Sequence, residues 1–139
     1  MKQLLFLLTL LFSVSFVACE SEEDRPAPRF QFSTEAPKNT SGDFIVPREG
    51  GTCQLFSMNY SNFIFTMFIV DRQQHIQPTI KNEGRFQVSA EWDWGLAKIS
   101  GNMLAVTLPP NTSGKTRHLT IVLRASGRLD EVTFLQAAE

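Results

Sequence analysis

Two tryptophans, Trp92 and Trp94, are the residues of this sequence best suited to contact a ligand. They are two positions apart, so on one strand both side chains would point to the same face. Flat, rigid rings of this kind suit the apolar face of a sugar, and the indole N–H groups add a polar edge. The alternative is that at least one ring fills the interior of the domain. The pair is therefore predicted either as an exposed binding platform or as part of the core.

Tyr60 is the only tyrosine of the chain and a third candidate for ligand binding. Its neighbours Asn59, Ser61 and Asn62 are polar, which is typical of a turn. An aromatic ring among such residues can also hydrogen-bond sugar hydroxyls. Ligand binding and a simple turn both fit this segment.

No catalytic or metal-binding pattern accompanies these aromatic residues. Glu91 and Asp93 flank Trp92, but a glycosidase needs two carboxyls about 5–9.5 Å apart across a cleft, and neighbours on one strand cannot straddle a substrate. These two are predicted to be solvated. His75 and His118 are isolated and lack zinc-ligand spacing. Without a catalytic triad or a glycine-rich phosphate loop, the sequence predicts no enzyme, no metal site and no cofactor.

The N-terminus carries an export pattern. Lys2 precedes an apolar run over residues 4–18, which predicts a secretory signal peptide at 1–18. The run is shorter than the roughly 20 residues that a membrane-spanning helix needs. Its end, Phe16-Val17-Ala18-Cys19, resembles the lipobox of bacterial lipoproteins, in which the cysteine becomes the first mature residue and carries lipid. The alternative is an ordinary secreted protein.

The lipobox resemblance predicts a membrane partner through lipid on Cys19, and an acidic stretch follows this residue. That stretch resembles the surface-export signal of Bacteroidetes lipoproteins, which implies an outer-membrane location facing the cell surface. If lipid occupies Cys19, then Cys53 has no partner for a disulfide within the chain. Cys53 lies in an apolar run, so it is either a buried small hydrophobic residue or a reactive thiol.

Charge and composition divide the remainder into a tether and a domain. Residues 19–29 combine acidic side chains with Pro26 and Pro28, which predicts an extended tether. Residues 30–139 suffice for one domain with its own core. The chain has 13 basic and 14 acidic residues without a basic cluster, so nucleic acid is not expected as a partner.

The domain is predicted to be all-β, because alternating and β-branched runs recur between turn signals and helical spacing is nowhere sustained. In 118–125 the apolar residues share one face, and Ser126-Gly127 predicts a hairpin to the following strand. The run 63–70 is apolar on both faces and predicts a strand covered on both sides. Many short strands of this kind predict a single antiparallel β-sandwich. The predicted strands are 30–32, 44–46, 52–58, 63–70, 74–80, 85–92, 97–99, 103–108, 118–125 and 131–136.

The C-terminal third resembles the BACON domain (Bacteroidetes-associated carbohydrate-binding often N-terminal) in the order of its motifs. The elements are Trp94-Gly95-Leu96, Ile99-Ser100-Gly101-Asn102, Leu104–Leu108, Pro110-Asn111, Arg117, Leu119–Leu123 and Phe134–Ala138. This resemblance implies an immunoglobulin-like sandwich that binds carbohydrate or acts as a spacer. Asn111, Arg117 and Gln136 match the family pattern. They are expected to be structural, with Asn111 in a turn of positive φ and Arg117 paired across strands.

The sequence thus favours a non-catalytic, surface-anchored lipoprotein domain with a glycan as ligand. The alternative is a structural or assembly subunit of an outer-membrane envelope complex. Such a subunit would use its sheet edges and the aromatic segment 63–68 to contact envelope proteins.

Overall fold

The fold is that of a computed structural model that describes residues 27–138. Every regular element in this range is a strand. The described range therefore contains no helix long and apolar enough to cross a bilayer. The strands are β1 (Phe32–Ser33), β2 (Phe44–Val46), β3 (Gly51–Ser57), β4 (Ile64–Val70), β5 (Gln74–Ile76), β6 (Thr79–Gly84), β7 (Gln87–Trp92), β8 (Gly95–Ser100), β9 (Met103–Leu108), β10 (Arg117–Ala125) and β11 (Arg128–Gln136).

The strands form the two sheets of an immunoglobulin-like β-sandwich, so the predicted fold class is confirmed. One sheet has the order β1-β3-β9-β8-β7-β6 and the other has the order β2-β11-β10-β4-β5. Neighbouring strands are antiparallel except β2 and β11, which run parallel. The parallel pair departs from a purely antiparallel sandwich, because β2 returns to the edge of the second sheet in the same direction as the last strand.

The core lies between the sheets and follows the alternation of the strands. In β10, Leu119, Ile121 and Leu123 are buried, and Val132 and Phe134 of β11 face the same interior. The predicted hairpin between these strands is confirmed. Ser126 and Gly127 have φ of 48° and 76°, the positive values that the two central residues of a type I′ turn require.

Two predictions about strands are wrong. The run 74–80 is not one strand, because β5 and β6 lie in different sheets. Pro78 lies between them and has no N–H to donate to a ladder, so the chain changes sheets at this point. The run 63–70 is not covered on both sides. Phe68 is buried, whereas Ile64 and Met67 are 44% and 40% exposed on the outer face.

The rows of paired residues define two ends of the sandwich. Thr52, Thr107 and Leu96 form one row across β3, β9 and β8, and the chain beyond this row contains Trp92 and Trp94. We call this the tryptophan end. A second row, formed by Phe56, Met103 and Ser100, marks the opposite end. The described chain begins there, because β1 starts at Phe32 opposite Ser57, and we call it the tether end.

Cys53 is buried on β3, opposite Val106 of β9, as expected for a small hydrophobic residue. Burial raises the pKa of its thiol to about 11 from an ordinary value of 9.0. The folded state therefore favours the neutral thiol. This contribution to stability is complete below pH 9 and is lost as the pH rises through the folded pKa.

We expect Cys53 to react slowly with dithionitrobenzoate while the protein is folded. In the chain from Glu20 to Glu139, where Cys53 is the only thiol, the raised pKa lowers the thiolate fraction near pH 8 by about a hundredfold, and burial slows the reagent further. The same chain unfolded in urea is the control. Equal labelling rates in the two states would contradict a buried thiol.

Candidate functional site

Trp92 and Trp94 lie in contact at the β7–β8 hairpin. Trp92 ends β7 opposite Gly95, and Trp94 lies in the two-residue turn between them. Their rings meet edge to face, with centroids 5.7 Å apart and an interplanar angle of 85°. A Cβ at position 95 would overlap the ring of Trp92, so only glycine allows this ring to lie across the hairpin.

The tryptophan pair is neither a fully exposed platform nor fully part of the core. Both side chains are half-buried and pack against the buried cluster. The centroid of Trp92 lies 5.6 Å from that of Phe68 in the opposite sheet. Its Nε1 is enclosed and has no acceptor among the described residues. The pair is therefore anchored to the core on one side and open to solvent on the other.

Arg117 fixes Trp94 from the neighbouring sheet. Its guanidinium carbon lies 4.9 Å from the centroid of the Trp94 ring, within the range of a cation–π contact. One guanidinium nitrogen also donates a hydrogen bond of 3.4 Å to Oε1 of Gln136. Arg117 is opposite Gln136 in the β10–β11 ladder, so the expected pairing across strands is confirmed. Arg117 thereby connects the tryptophan pair to the C-terminal strand.

Gln136 is completely buried and connects two backbone segments behind the contact between Arg117 and Trp94. Its Nε2 donates to the carbonyls of Pro47 and Pro109, at 3.0 and 2.8 Å. These two prolines follow β2 and β9, which belong to different sheets. One amide group thus ties both sheets together beneath the tryptophan end.

Asn111 is also buried, and its side chain closes the turn before β10. Its Nδ2 faces the carbonyls of Lys115, Gln136 and Ala137, at 2.8, 3.3 and 3.0 Å. Its Oδ1 accepts from the backbone N–H and the hydroxyl of Ser113. The expected positive φ at Asn111 is wrong. The residue is instead required for these hydrogen bonds, which one short amide side chain can satisfy together.

An open depression of about 820 Å³ lies beside the tryptophan pair, where the chain passes from β5 to β6. Val70 and Ile76 form part of its floor, next to the two tryptophans. The side chains of its rim are polar and can both donate and accept hydrogen bonds. The polar rim residues are Gln74, His75, Gln77, Thr79, Glu91 and Asp93.

Half of this rim is absent from the residues that the sequence analysis considered. Gln74, Gln77 and Thr79 join the site only because β5 and β6 belong to different sheets and the chain crosses between them. The sequence signal for this crossing was Pro78, which interrupts a polar run shortly before the two tryptophans in the chain. Glu91 and Asp93 are exposed, as predicted, and the Glu91 carboxylate lies 3.6 Å from the ammonium of Lys81.

Tyr60 does not belong to this site. It follows β3 at the tether end, because β3 and β7 run in opposite directions through the sheet. Its hydroxyl donates a 2.6 Å hydrogen bond to the carbonyl of Pro28, and its ring lies 4.6 Å from that of Phe30. Tyr60 therefore holds the start of the domain. The three proposed ligand-binding residues are thus divided between the two ends.

The two histidines also lie at the tryptophan end, on different elements. His75 is exposed on the rim of the depression, and His118 is half-buried at the start of β10. The backbone of His118 is bonded to Asp71, while its Nδ1 has no partner among the described residues. Within residues 27–138, no group of three histidine, cysteine or acidic side chains is placed to hold a metal ion.

The two sheets and the alternating core define this chain as an immunoglobulin-like β-sandwich. No protein-family model matches the sequence, and no curated protein matches it. Among solved structures, the chain is similar to a protein from Bacteroides thetaiotaomicron whose structure was determined by NMR. The TM-score is 0.64 at 25% sequence identity, over 86% of this chain and 95% of the other. This likeness supports the sandwich fold.

Proposed function

We propose that this protein is a non-catalytic lipoprotein of the outer-membrane surface and that its tryptophan end binds glycans. The observation that carries the proposal is the depression in which the open edges of Trp92 and Trp94 meet a polar rim. Sugars present an apolar ring face and a girdle of hydroxyls, so a glycan site needs aromatic surface and hydrogen-bonding groups side by side.

The rest of the proposal comes from the sequence. Cys19, the predicted site of lipidation, and the predicted signal peptide lie outside the described residues. Of the predicted tether, residues 27–29 are described, and Asn59 donates a 2.7 Å hydrogen bond to the carbonyl of Arg29. The motif order that resembles BACON domains favours carbohydrate as the ligand class, and Asn111, Arg117 and Gln136 are the framework beneath the proposed site.

A glycan array probed with the chain from Glu20 to Glu139 tests this function. We expect Trp94→Ala to weaken binding about fivefold or more, because truncation of an aromatic residue that anchors a ligand costs more than about 1 kcal/mol. Gln77→Ala, an exposed rim substitution, should weaken binding without affecting the fold. The double variant Trp92→Ala plus Trp94→Ala should abolish binding.

Tyr60→Phe is the matched control, since it removes a polar group from an aromatic side chain at the opposite end. Its binding should equal that of the unmodified chain. Circular dichroism should show that each variant remains folded. Binding that survives the double substitution in a folded protein would exclude the tryptophan end as the glycan site.

A second function, as a subunit of an envelope complex, is favoured by the outer face of the five-stranded sheet. Met67 and Leu129 are 40% and 54% exposed there, and Ile69 lies on the same open surface. Exposed apolar side chains on one sheet face are typical of protein contacts. Of the segment 63–68 that the sequence assigned to this role, Phe63 and Phe68 point into the core, whereas Met67 is exposed. Purification of the native lipoprotein with a stoichiometric partner would favour this function.

A further inference from the structure

The tether end carries an apolar groove of about 430 Å³ that opens to solvent between β4, the β6–β7 turn and the β10–β11 turn. Ile64, Phe86 and Arg124 are among the residues that line it. Ile64 is 44% exposed and Phe86 is 51% exposed, so each leaves a large apolar surface in water. The tether end, where the described chain begins, is thus less polar than an ordinary loop region.

Phe86 is held in a backbone conformation that its side chain disfavours. Its φ is 62°, a left-handed value that suits glycine or asparagine and that bulky residues rarely adopt. Phe86 lies in the two-residue turn between β6 and β7, where glycine would adopt this φ at lower cost, yet the sequence has a half-exposed phenylalanine there. Backbone strain at an exposed aromatic residue is a reason to look for a binding role.

One arginine contacts this exposed ring and a second lines the same groove. The guanidinium carbon of Arg85 lies 5.0 Å from the centroid of the Phe86 ring, and Arg124 lines the groove from β10. Neither takes part in the ion pairs found within residues 27–138. An aromatic ring, a branched aliphatic side chain and unpaired guanidinium groups therefore share one surface, which we call the Phe86 patch (Ile64, Arg85, Phe86 and Arg124).

The position of the chain start decides what this patch faces. Pro28 is bonded to Tyr60 at the tether end, and position 19 precedes Ala27 by eight residues. Even fully extended, these residues span no more than about 28 Å. Lipid on Cys19 would therefore keep the tether end within about 28 Å of the membrane.

We propose that the Phe86 patch docks the domain onto an anionic lipid surface. The proposal rests on the proposed function in one respect, since lipid on Cys19 is what brings this end to the membrane. Aromatic and aliphatic side chains enter the boundary between headgroups and acyl chains, and arginines contact lipid phosphates while their stems lie along the apolar layer. Docking through this end directs the depression beside Trp92 and Trp94 away from the membrane.

Vesicle flotation with the chain from Glu20 to Glu139 tests docking without the lipid anchor, and this chain retains every residue of the described fold. The probes are vesicles of phosphatidylglycerol and phosphatidylcholine in equal parts, and vesicles of phosphatidylcholine alone. We expect binding to the anionic vesicles only. The double variant Arg85→Gln plus Arg124→Gln should reduce binding at least about tenfold, because each arginine near such a surface contributes roughly fivefold.

Phe86→Asn should also weaken binding, and asparagine tolerates a positive φ, so this variant keeps the fold. The matched controls remove equivalent groups from other surfaces: Arg72→Gln plus Lys115→Gln for the charges, and Ile80→Thr for the apolar side chain. These should bind as the unmodified chain does. Equal binding by patch variants and controls would overturn the proposal.

Absence of binding to anionic vesicles would also overturn the docking proposal. This result is expected if the patch is covered by the acidic residues that follow Cys19 or by a second copy of the chain. Mass spectrometry of the native protein shows whether Cys19 carries lipid. It therefore tests the anchor of the proposed function separately from the docking patch. If Cys19 carries lipid but the chain from Glu20 to Glu139 does not bind vesicles, the docking proposal fails and the predicted anchor stands. If the patch binds vesicles but Cys19 of the native protein is unmodified, the docking patch is supported and the predicted anchor is contradicted.

Discussion

Replacing Asn111 with alanine is expected to lower the free energy of unfolding by about 2–3 kcal/mol, because the substitution removes a buried amide side chain that hydrogen-bonds four backbone groups. The carbonyls of Lys115, Gln136 and Ala137 lose their shared donor, and the N–H of Ser113 loses its acceptor. No solvent reaches this position, since Asn111 is 1% exposed. For a domain whose total stability is about 5–15 kcal/mol, this loss is a large fraction.

Urea unfolding followed by circular dichroism measures this effect as a lower midpoint at an unchanged slope. Asn62→Ala is the matched control, since Asn62 is exposed and its amide makes one long hydrogen bond of 3.4 Å to Ser61. It should change stability by less than about 0.5 kcal/mol. A similarly small effect of Asn111→Ala would show that the turn before β10 does not depend on this side chain.

Gly50→Ala should destabilise the domain by about 3–4 kcal/mol, for a reason different from the lost hydrogen bonds at Asn111. Gly50 has φ +89°, which disfavours any side chain, and its surroundings are closed as well. A Cβ there would lie 2.7 Å from the carbonyl oxygen of Leu108 and 2.8 and 2.9 Å from backbone atoms of Pro109 and Pro110. These are backbone atoms, so no side-chain rotation relieves the overlap.

Gly42→Ala isolates the part of this cost that comes from φ alone. Gly42 has φ +88°, almost the same as Gly50, but nothing lies within 4 Å of a Cβ built there. We expect Gly42→Ala to cost about 1–2 kcal/mol, the ordinary cost of a left-handed residue. The difference between the two variants in urea unfolding then measures the collision with the β9 terminus. Equal losses of stability in the two variants would show that the backbone at Pro109 and Pro110 moves aside without a cost in free energy.

The elements that the sequence predicted well are those whose evidence is local. The β10–β11 hairpin follows from alternation in two adjacent segments and from Ser126-Gly127 between them, and each of these signals acts over a few residues. The buried faces of these strands were predicted for the same reason. The half-buried state of Trp92 was not, because it depends on Phe68 in the other sheet.

The features that sequence reasoning missed depend on contacts between distant segments. Whether residues 74–80 form one strand is decided by which sheets accept β5 and β6, and local alternation carries no such information. The same holds for the polar rim of the depression, and for Tyr60, whose distance from the tryptophans follows from strand direction. A run of apolar residues such as 63–70 likewise gives no indication of whether its second face is covered.

The parallel pairing of β2 with β11 has a consequence for the time at which the domain folds. Phe44 pairs with Phe134, and Phe30 donates to Asp130, so early and late segments of the chain complete each other. Contacts this distant in sequence require closure of a very long loop, which slows folding. A chain emerging from the ribosome cannot complete the second sheet until residues 128–136 have been synthesised. Until then β2, which pairs in this sheet with β11 alone, has no partner strand, so the early part of the chain stays unfolded for longer.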